Sequence, residues 1–76
     1  MDFKLNEKVC GYYDNQYPLV KGKIVQIGSH HIENFYIGKL YAIQTDNGIV
    51  RIPEEQVFAT YEQWKKYYDA KIKPIN

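Results

Sequence analysis

The residues best suited to chemistry in this sequence are a histidine pair with an acid beside it and a single thiol. His30 and His31 are adjacent, Glu33 follows them, and Cys10 is the one cysteine. Adjacent residues of a strand point to opposite sides, so two neighbouring imidazoles rarely share a metal ion, and the chain has no second pair with zinc-finger spacing. We therefore expect Ser29–Asn34 to form a solvated polar loop with no metal and no cofactor. A small-ligand or catalytic site built on this loop is the least favoured alternative.

Covalent and acid–base catalysis lack the arrangements that they normally require. Ser29 is next to His30, but adjacency in sequence is not the geometry of a catalytic triad, and no Gly-x-Ser-x-Gly motif is present. Glu54 and Glu55 are the only adjacent carboxylates, and they lie where a helix is expected to begin, a place where acids favour the helix dipole. Cys10 falls in a predicted strand, where a buried structural thiol is the usual role. The sequence therefore predicts a protein that is not an enzyme.

Composition limits the chain to one small domain. It has 76 residues, a formal net charge of +1, 45% hydrophobic residues and 16% aromatic residues, which is typical of a globular protein and not of a disordered one. A near-neutral charge argues against a strongly electrostatic nucleic-acid binder, whose pI usually exceeds about 9. The lone cysteine and the lack of an apolar leader or a membrane-length apolar run favour a soluble protein of the cytoplasm.

Hydrophobic alternation with a period of two predicts strands over most of the chain. The five expected strands are Lys8–Tyr13, Leu19–Gly28, Phe35–Thr45, Ile49–Ile52 and Val57–Ala59. Asp14–Pro18 has the chemistry of a turn, and Asn47 with Gly48 predicts a hairpin closed by a type I′ turn. Pro53–Gln56 suits one helical turn, because proline is tolerated at the first helical position.

The last segment changes to helical spacing. Thr60 and Gln63 have the three-residue spacing of a capping box, which marks a helix start. An apolar stripe follows at helical intervals, so we expect a helix over Tyr61–Lys71, with Pro74 preventing its continuation. The aromatic residues expected in the core are Tyr41, Trp64 and Tyr68.

These elements predict a mostly β fold, in which a bent five-stranded antiparallel sheet closes into a small barrel that a C-terminal α-helix covers. The order of four motifs resembles SH3-like small β-barrels of the Tudor and KOW type, as in small bacterial and phage proteins. The motifs are Leu5–Val9, Gly22–Ile27, Tyr41–Gly48 and Ile49–Val57. We expect a single domain, with the barrel over residues 1–59 and the helix and tail packed on it over residues 60–76. The resemblance covers about residues 5–59, and it implies a binding module, because such barrels bind peptides, protein surfaces or nucleic acids.

We expect the partner to be a protein, such as a host factor if the chain is encoded by a phage or prophage. Frequent Lys, Ile, Asn and Tyr are typical of AT-rich genomes, including those of low-GC bacteria and their phages. Tyrosine is enriched at interface hot spots because it supplies a large rigid area with a polar tip. The expected contact residues are Tyr12, Tyr13, Tyr17 and Tyr36.

The alternative hypothesis is a nucleic-acid-binding barrel. Its expected contact residues are Lys21, Lys23, Lys39 and Arg51, on neighbouring outer faces of the barrel. Barrels of this kind bind single strands by stacking bases on aromatic rings beside cations. The near-neutral charge and the sole arginine weigh against this hypothesis. A second copy of the chain is a further candidate partner, through the helix or an edge strand.

Overall fold

The computed structural model describes residues 2–13 and 17–72, and their strands form one five-stranded antiparallel sheet in the order β4-β3-β2-β1-β5. The strands are β1 (Lys8–Tyr13), β2 (Tyr17–Ile32), β3 (Phe35–Thr45), β4 (Gly48–Pro53) and β5 (Val57–Phe58). A 3₁₀ turn (Glu54–Gln56) joins β4 to β5, and helix α1 (Tyr61–Tyr67) is followed by a π-helical segment (Tyr68–Ile72). The predicted fold class, mostly β with five antiparallel strands and a C-terminal helix, is confirmed. In the described part of the chain, no helix is long and apolar enough to cross a membrane.

The core is formed by side chains from one face of the sheet, together with Phe3 from the segment before β1. The fully buried side chains are Ile24, Tyr41, Ile43 and Ile52. Phe3, from the segment before β1, contacts Tyr41 edge-on with ring centroids 5.6 Å apart. The amide N–H of Phe3 donates a hydrogen bond of 3.2 Å to the Tyr41 hydroxyl. The N-terminal segment is therefore part of the core, and Tyr41 is buried as the sequence predicts.

The C-terminal helix begins where the sequence predicts. The Thr60 hydroxyl accepts a hydrogen bond of 3.1 Å from the Gln63 amide, and the Gln63 side chain accepts one of 3.3 Å from the Ala59 amide. The first bond satisfies one of the amide groups that a helix start leaves without partners, and the second connects the Gln63 side chain to the residue before the N-cap. The chain is helical as far as the predicted end at Lys71, but only part of this helix is α-helical. The α-helix ends at Tyr67, and a π-helical segment follows it.

The helix is attached to the outer side of the sheet by aromatic contacts. Tyr67 stacks on Tyr12 of β1 at 5.6 Å between ring centroids and contacts Phe58 of β5 at 5.2 Å. Trp64 is buried as predicted, whereas Tyr68 stacks on Trp64 at 5.2 Å and stays half-exposed. Tyr68 is therefore a cover for the core tryptophan and not a core residue.

Two connections differ from the sequence expectation. The polar loop predicted over Ser29–Asn34 is wrong, because β2 continues to Ile32 and the connection is the two-residue turn that follows it. The hairpin between β3 and β4 is confirmed, but its type I′ turn is not. The turn residues are Asp46 and Asn47, with ordinary negative φ, and Gly48 after them takes φ of +120°.

The first predicted turn, Asp14–Pro18, is only partly within the described residues. Residues 14–16 lie outside them, and β2 begins at Tyr17, earlier than the predicted Leu19. Tyr13 pairs with Tyr17 across this connection. The second strand is therefore longer than predicted at both of its ends.

Candidate functional site

The β2–β3 hairpin extends beyond the rest of the sheet as a two-stranded arm, which we define as residues 28–39. The pairing of β1 with β2 ends at Lys23, and the pairing of β4 with β3 ends at Leu40, so neither reaches residues 28–39. Among the described strands, none pairs with either edge of the arm. The arm is thus a ribbon of two strands that the barrel holds at one end.

The local sequence explains how the arm turns. Glu33 and Asn34 both have positive φ, +50° and +73°, which is the backbone of a type I′ turn. Such a turn matches the right-handed twist of a hairpin. Farther back on β3, Ile37 has no partner residue on β2, because the register shifts between His30 and His31. This bulge increases the local twist of the ribbon.

The base of the arm is fixed by contacts with the barrel. The Lys39 amide donates a hydrogen bond of 3.2 Å to the Glu54 carboxylate. Gly38 has φ of +145°, and a side chain there would collide with the same carboxylate. The Lys39 ammonium lies 2.8 Å from the Asp2 carboxylate, which lowers the pKa of Asp2 and raises that of Lys39. The arm is therefore positioned by its base, while its outer part extends away from these contacts.

The outer part of the arm is apolar and exposed. The exposed fractions are 57% for Ile32, 73% for Phe35, 60% for Tyr36 and 46% for Ile37. Because a large aromatic side chain has an area of roughly 150–250 Å², these four residues together expose at most about 500 Å² over the two faces of the ribbon. The largest apolar patch on a monomeric protein is typically 300–600 Å² and is often functional. The tip of the arm therefore exposes, over its two faces together, an apolar area comparable with the largest patch of a typical monomer.

Both faces of the ribbon contribute to this patch. Ile32 lies directly opposite Phe35, so these two side chains share one face. His31 lies opposite Tyr36, and their rings meet at 5.6 Å on the other face. A two-stranded ribbon buries neither face by itself.

The structure brings one of the four predicted tyrosines to the arm, namely Tyr36. Tyr12 stacks on Tyr67 and shares a 3.3 Å hydrogen bond between the hydroxyls, and burial with this bond raises the pKa of Tyr12 to about 12. Tyr13 packs against the core cluster. The side chain of Tyr17 lies outside the described part of the structure. The three described tyrosines therefore lie in separate places.

Three further exposed apolar residues of the arm were not predicted from the sequence, namely Ile32, Phe35 and Ile37. The sequence does hold a signal for them, which is the polar pair Glu33 and Asn34 between bulky residues. Asparagine tolerates positive φ, so this pair is a weaker form of the Asn-Gly signal that marks a hairpin turn.

The predicted basic residues are divided between two places. Lys21 and Lys23 alternate with buried residues on the outer face of β2, and Lys23 lies directly opposite Lys8. Arg51 lies on the same outer face. Gln44 of β3 pairs with Lys23 on one side and with Ile49 of β4 on the other, and Arg51 is two residues after Ile49. Lys39 is elsewhere, at the base of the arm with Asp2.

One groove is lined by residues from both the protein-binding and the nucleic-acid-binding hypothesis. It has a volume of about 590 Å³ and lies between the beginning of β2 and the β3–β4 hairpin. Tyr13, Lys21 and Arg51 line it, together with Asp46. Two cations and an aromatic ring at one groove suit an anionic ligand with a planar group.

The groups with catalytic potential do not converge. His30 and His31 are neighbours on a strand, so they point to opposite faces of the arm. Within residues 2–13 and 17–72, no group of three or more His, Cys, Asp or Glu side chains could hold a metal ion. Cys10 is buried, and burial raises the pKa of its thiol, which lowers its reactivity.

Comparison with protein-family models, curated proteins and solved structures finds no match for this chain.

Proposed function

We propose that this chain is a non-enzymatic binding module that contacts a protein partner through the tip of its β2–β3 arm. The observation that carries the proposal is the exposed apolar surface of Ile32, Phe35, Tyr36 and Ile37 on a ribbon with no neighbouring strand. The arm residues carry one uncompensated charge, on Glu33, because Lys39 is paired with Asp2. A surface of this kind suits the apolar centre of a protein interface, where charged residues are depleted.

The rest of the chain supplies a scaffold for the arm. The core cluster and the attached helix bury the large side chains of the barrel, and the contacts of Lys39 and Gly38 fix the direction of the arm. A contact surface on a rigid element loses less conformational entropy on binding than a flexible loop does. The resemblance to Tudor and KOW barrels supports a binding role in the same way. We assign the module to the cytoplasm, where a single buried thiol stays reduced.

A module of this size acts by occupying a surface of its partner. We therefore interpret it as a modulator or inhibitor, such as a phage or prophage makes against a host factor. The aromatic and aliphatic residues at the tip are the expected hot spots, since such anchors give most of the binding energy at an interface.

The test is site-specific photo-crosslinking. A benzophenone amino acid replaces Phe35 in one variant and Ile49 in a second, because Ile49 is also an exposed apolar strand residue, at 50%, but lies on β4. In extract of the source cells, we expect a discrete cross-linked protein from position 35 and none from position 49. Equal cross-linking from both positions, or none from position 35, contradicts the proposal.

Nucleic-acid binding is the second candidate, and the groove lined by Tyr13, Lys21 and Arg51 favours it. If phosphates contact these cations, the logarithm of affinity for a single-stranded oligonucleotide falls linearly with the logarithm of salt concentration. Lys21→Ala then reduces the slope by about one, whereas Lys65→Ala on the helix leaves it unchanged. Absence of binding at low salt eliminates this candidate.

A further inference from the structure

We infer that a second groove, on the outer face of β1 and β2, is a binding site for a small ligand that carries a polyphosphate group. This groove has a volume of about 510 Å³, which is within the range of small-molecule sites. Lys8, Lys21 and Lys23 line it, and we call it the lysine groove. None of its described lining residues belongs to the arm, so the site is independent of the surface proposed above for a protein partner.

The register of the sheet brings the three lysines together. Lys8 of β1 lies directly opposite Lys23 of β2. Lys21 is two residues before Lys23 on the same strand, so its side chain stands on the same face. Opposite residues have Cβ atoms about 5 Å apart, and residues two apart on one strand are separated by about 7 Å. Three ammonium groups on flexible stems can therefore reach one compact anion.

The chain leaves these three charges uncompensated. In the described residues, the two ion pairs lie at the base of the arm and on helix α1, and neither includes a lysine of the groove. Like charges directly opposite each other destabilise a sheet, so the pair of Lys8 and Lys23 opposes folding. An anion bound between them removes this repulsion. The formal net charge of +1 thus conceals a local concentration of positive charge.

The residue types favour phosphate over carboxylate. Lysine binds phosphate as a compact point charge, whereas arginine suits planar, bidentate recognition of either anion. Gln44, an exposed residue that also lines the groove, adds an amide that can donate to a phosphate oxygen. A phosphate monoester carries close to two negative charges and a carboxylate only one. Neighbouring phosphates therefore match three converging cations better than a single carboxylate does.

Asp46 favours a small ligand over a nucleic-acid strand. It lines both the lysine groove and the neighbouring groove at the β3–β4 hairpin, and Lys21 is shared in the same way. A phosphodiester chain that ran from one groove into the other would pass this carboxylate, and like charges repel. A compact anion between Lys8 and Lys23 does not have to cross it.

Nuclear magnetic resonance titration with sodium tripolyphosphate at constant ionic strength tests the inference. We expect saturable shifts of the Gly22, Lys23 and Gln44 amide signals and a thermal midpoint that rises with ligand concentration. Lys8→Gln/Lys23→Gln should weaken binding at least about tenfold, because each variant position loses a charge-assisted hydrogen bond. Lys66→Gln, at an exposed lysine of α1 outside the groove, should bind like the wild type.

The double variant also separates binding from folding. Without ligand, removal of the repulsion between positions 8 and 23 should leave the thermal midpoint unchanged or slightly higher, so weaker binding does not come from unfolding. Lys21→Gln provides a second, independent variant, and its affinity for tripolyphosphate should also fall. A titration with sodium sulfate at the same concentrations and ionic strength should shift these amides far less, because one sulfate carries fewer charges.

Four results overturn the inference. The first is the absence of saturable shifts up to about 10 mM tripolyphosphate. The second is a double variant that binds as tightly as Lys66→Gln, and the third is sulfate acting as strongly as tripolyphosphate, which indicates charge screening alone. The fourth is a single-stranded oligonucleotide that binds more tightly than tripolyphosphate and is weakened by the same lysine variants. That result assigns the lysine groove to a nucleic-acid chain.

Discussion

Ile32 and Phe35 lie directly opposite each other in the register of β2 and β3, and the two residues between them form the turn. Both side chains are mostly exposed, although the barrel buries aliphatic and aromatic residues elsewhere along the same strands. Ile24 on β2 and Ile43 on β3 are also cross-strand partners, and both are fully buried. The same two strands therefore serve the core at one end and present an apolar surface at the other.

Substitution of Gly22 tests how tightly β2 and β3 approach inside the barrel. A methyl group at Gly22 would collide with the backbone carbonyl of Gln44, which cannot move without disturbing the sheet. We expect Gly22→Ala to lower the free energy of unfolding by about 2–3 kcal/mol in urea denaturation. Gly28→Ala is the matched control on the same strand, since the nearest atom to its added carbon is the Leu40 carbonyl oxygen at 3.7 Å. Equal stabilities of the two variants would contradict the close approach.

Removal of one hydroxyl tests the attachment of the N-terminal segment. Tyr41→Phe keeps the buried ring but leaves the Phe3 amide without its 3.2 Å acceptor. We expect a loss of about 1–2 kcal/mol in the free energy of unfolding, because a buried donor without a partner keeps its desolvation cost. Tyr36→Phe, on the exposed arm, should change stability by less than about 0.5 kcal/mol. A Tyr41→Phe variant as stable as Tyr36→Phe would show that the hydrogen bond does not contribute.

Alkaline pH should loosen the contact between the helix and the sheet. Burial and the hydrogen bond to Tyr67 raise the pKa of Tyr12 from 10.0 to about 12, so the folded state favours the neutral hydroxyl. The resulting stability is fully present below about pH 10 and is lost as the pH rises to about 12. Thermal melts across this range should fall less steeply for Tyr12→Phe than for the wild type. Parallel melting curves would contradict the raised pKa.

The sequence predicts the barrel well because its strands have one buried side. β1 was predicted with the bounds that the structure has, Lys8–Tyr13, and so was β3, Phe35–Thr45. Alternation is visible where one face meets the core, as on β4, where Val50 and Ile52 pack inward while Ile49 and Arg51 are exposed. The capping pair of Thr60 and Gln63 is likewise a local signal with a local cause.

The arm could not be predicted in the same way, because no core imposes alternation on it. Ser29, His30 and His31 have the composition of a loop, yet backbone pairing with β3 makes them a strand. Glu33 at positive φ is an unfavourable position for a residue with a β-carbon, so no turn propensity indicates it. The separation of Lys39 from Lys21 and Lys23 depends on register and on its ion pair with Asp2, which is 37 residues away.

The most direct test of the account is the affinity of two serine variants for the protein that position 35 captures, whether a second copy or another chain. Phe35→Ser removes a tip residue that contributes nothing to the core, so binding should weaken at least tenfold, which corresponds to about 1.4 kcal/mol, while the free energy of unfolding stays unchanged. Ile49→Ser should change affinity by less than about twofold. Isothermal titration calorimetry on both variants measures the difference. Affinities equal to that of the wild type in both variants would contradict the assignment of the arm as the binding surface.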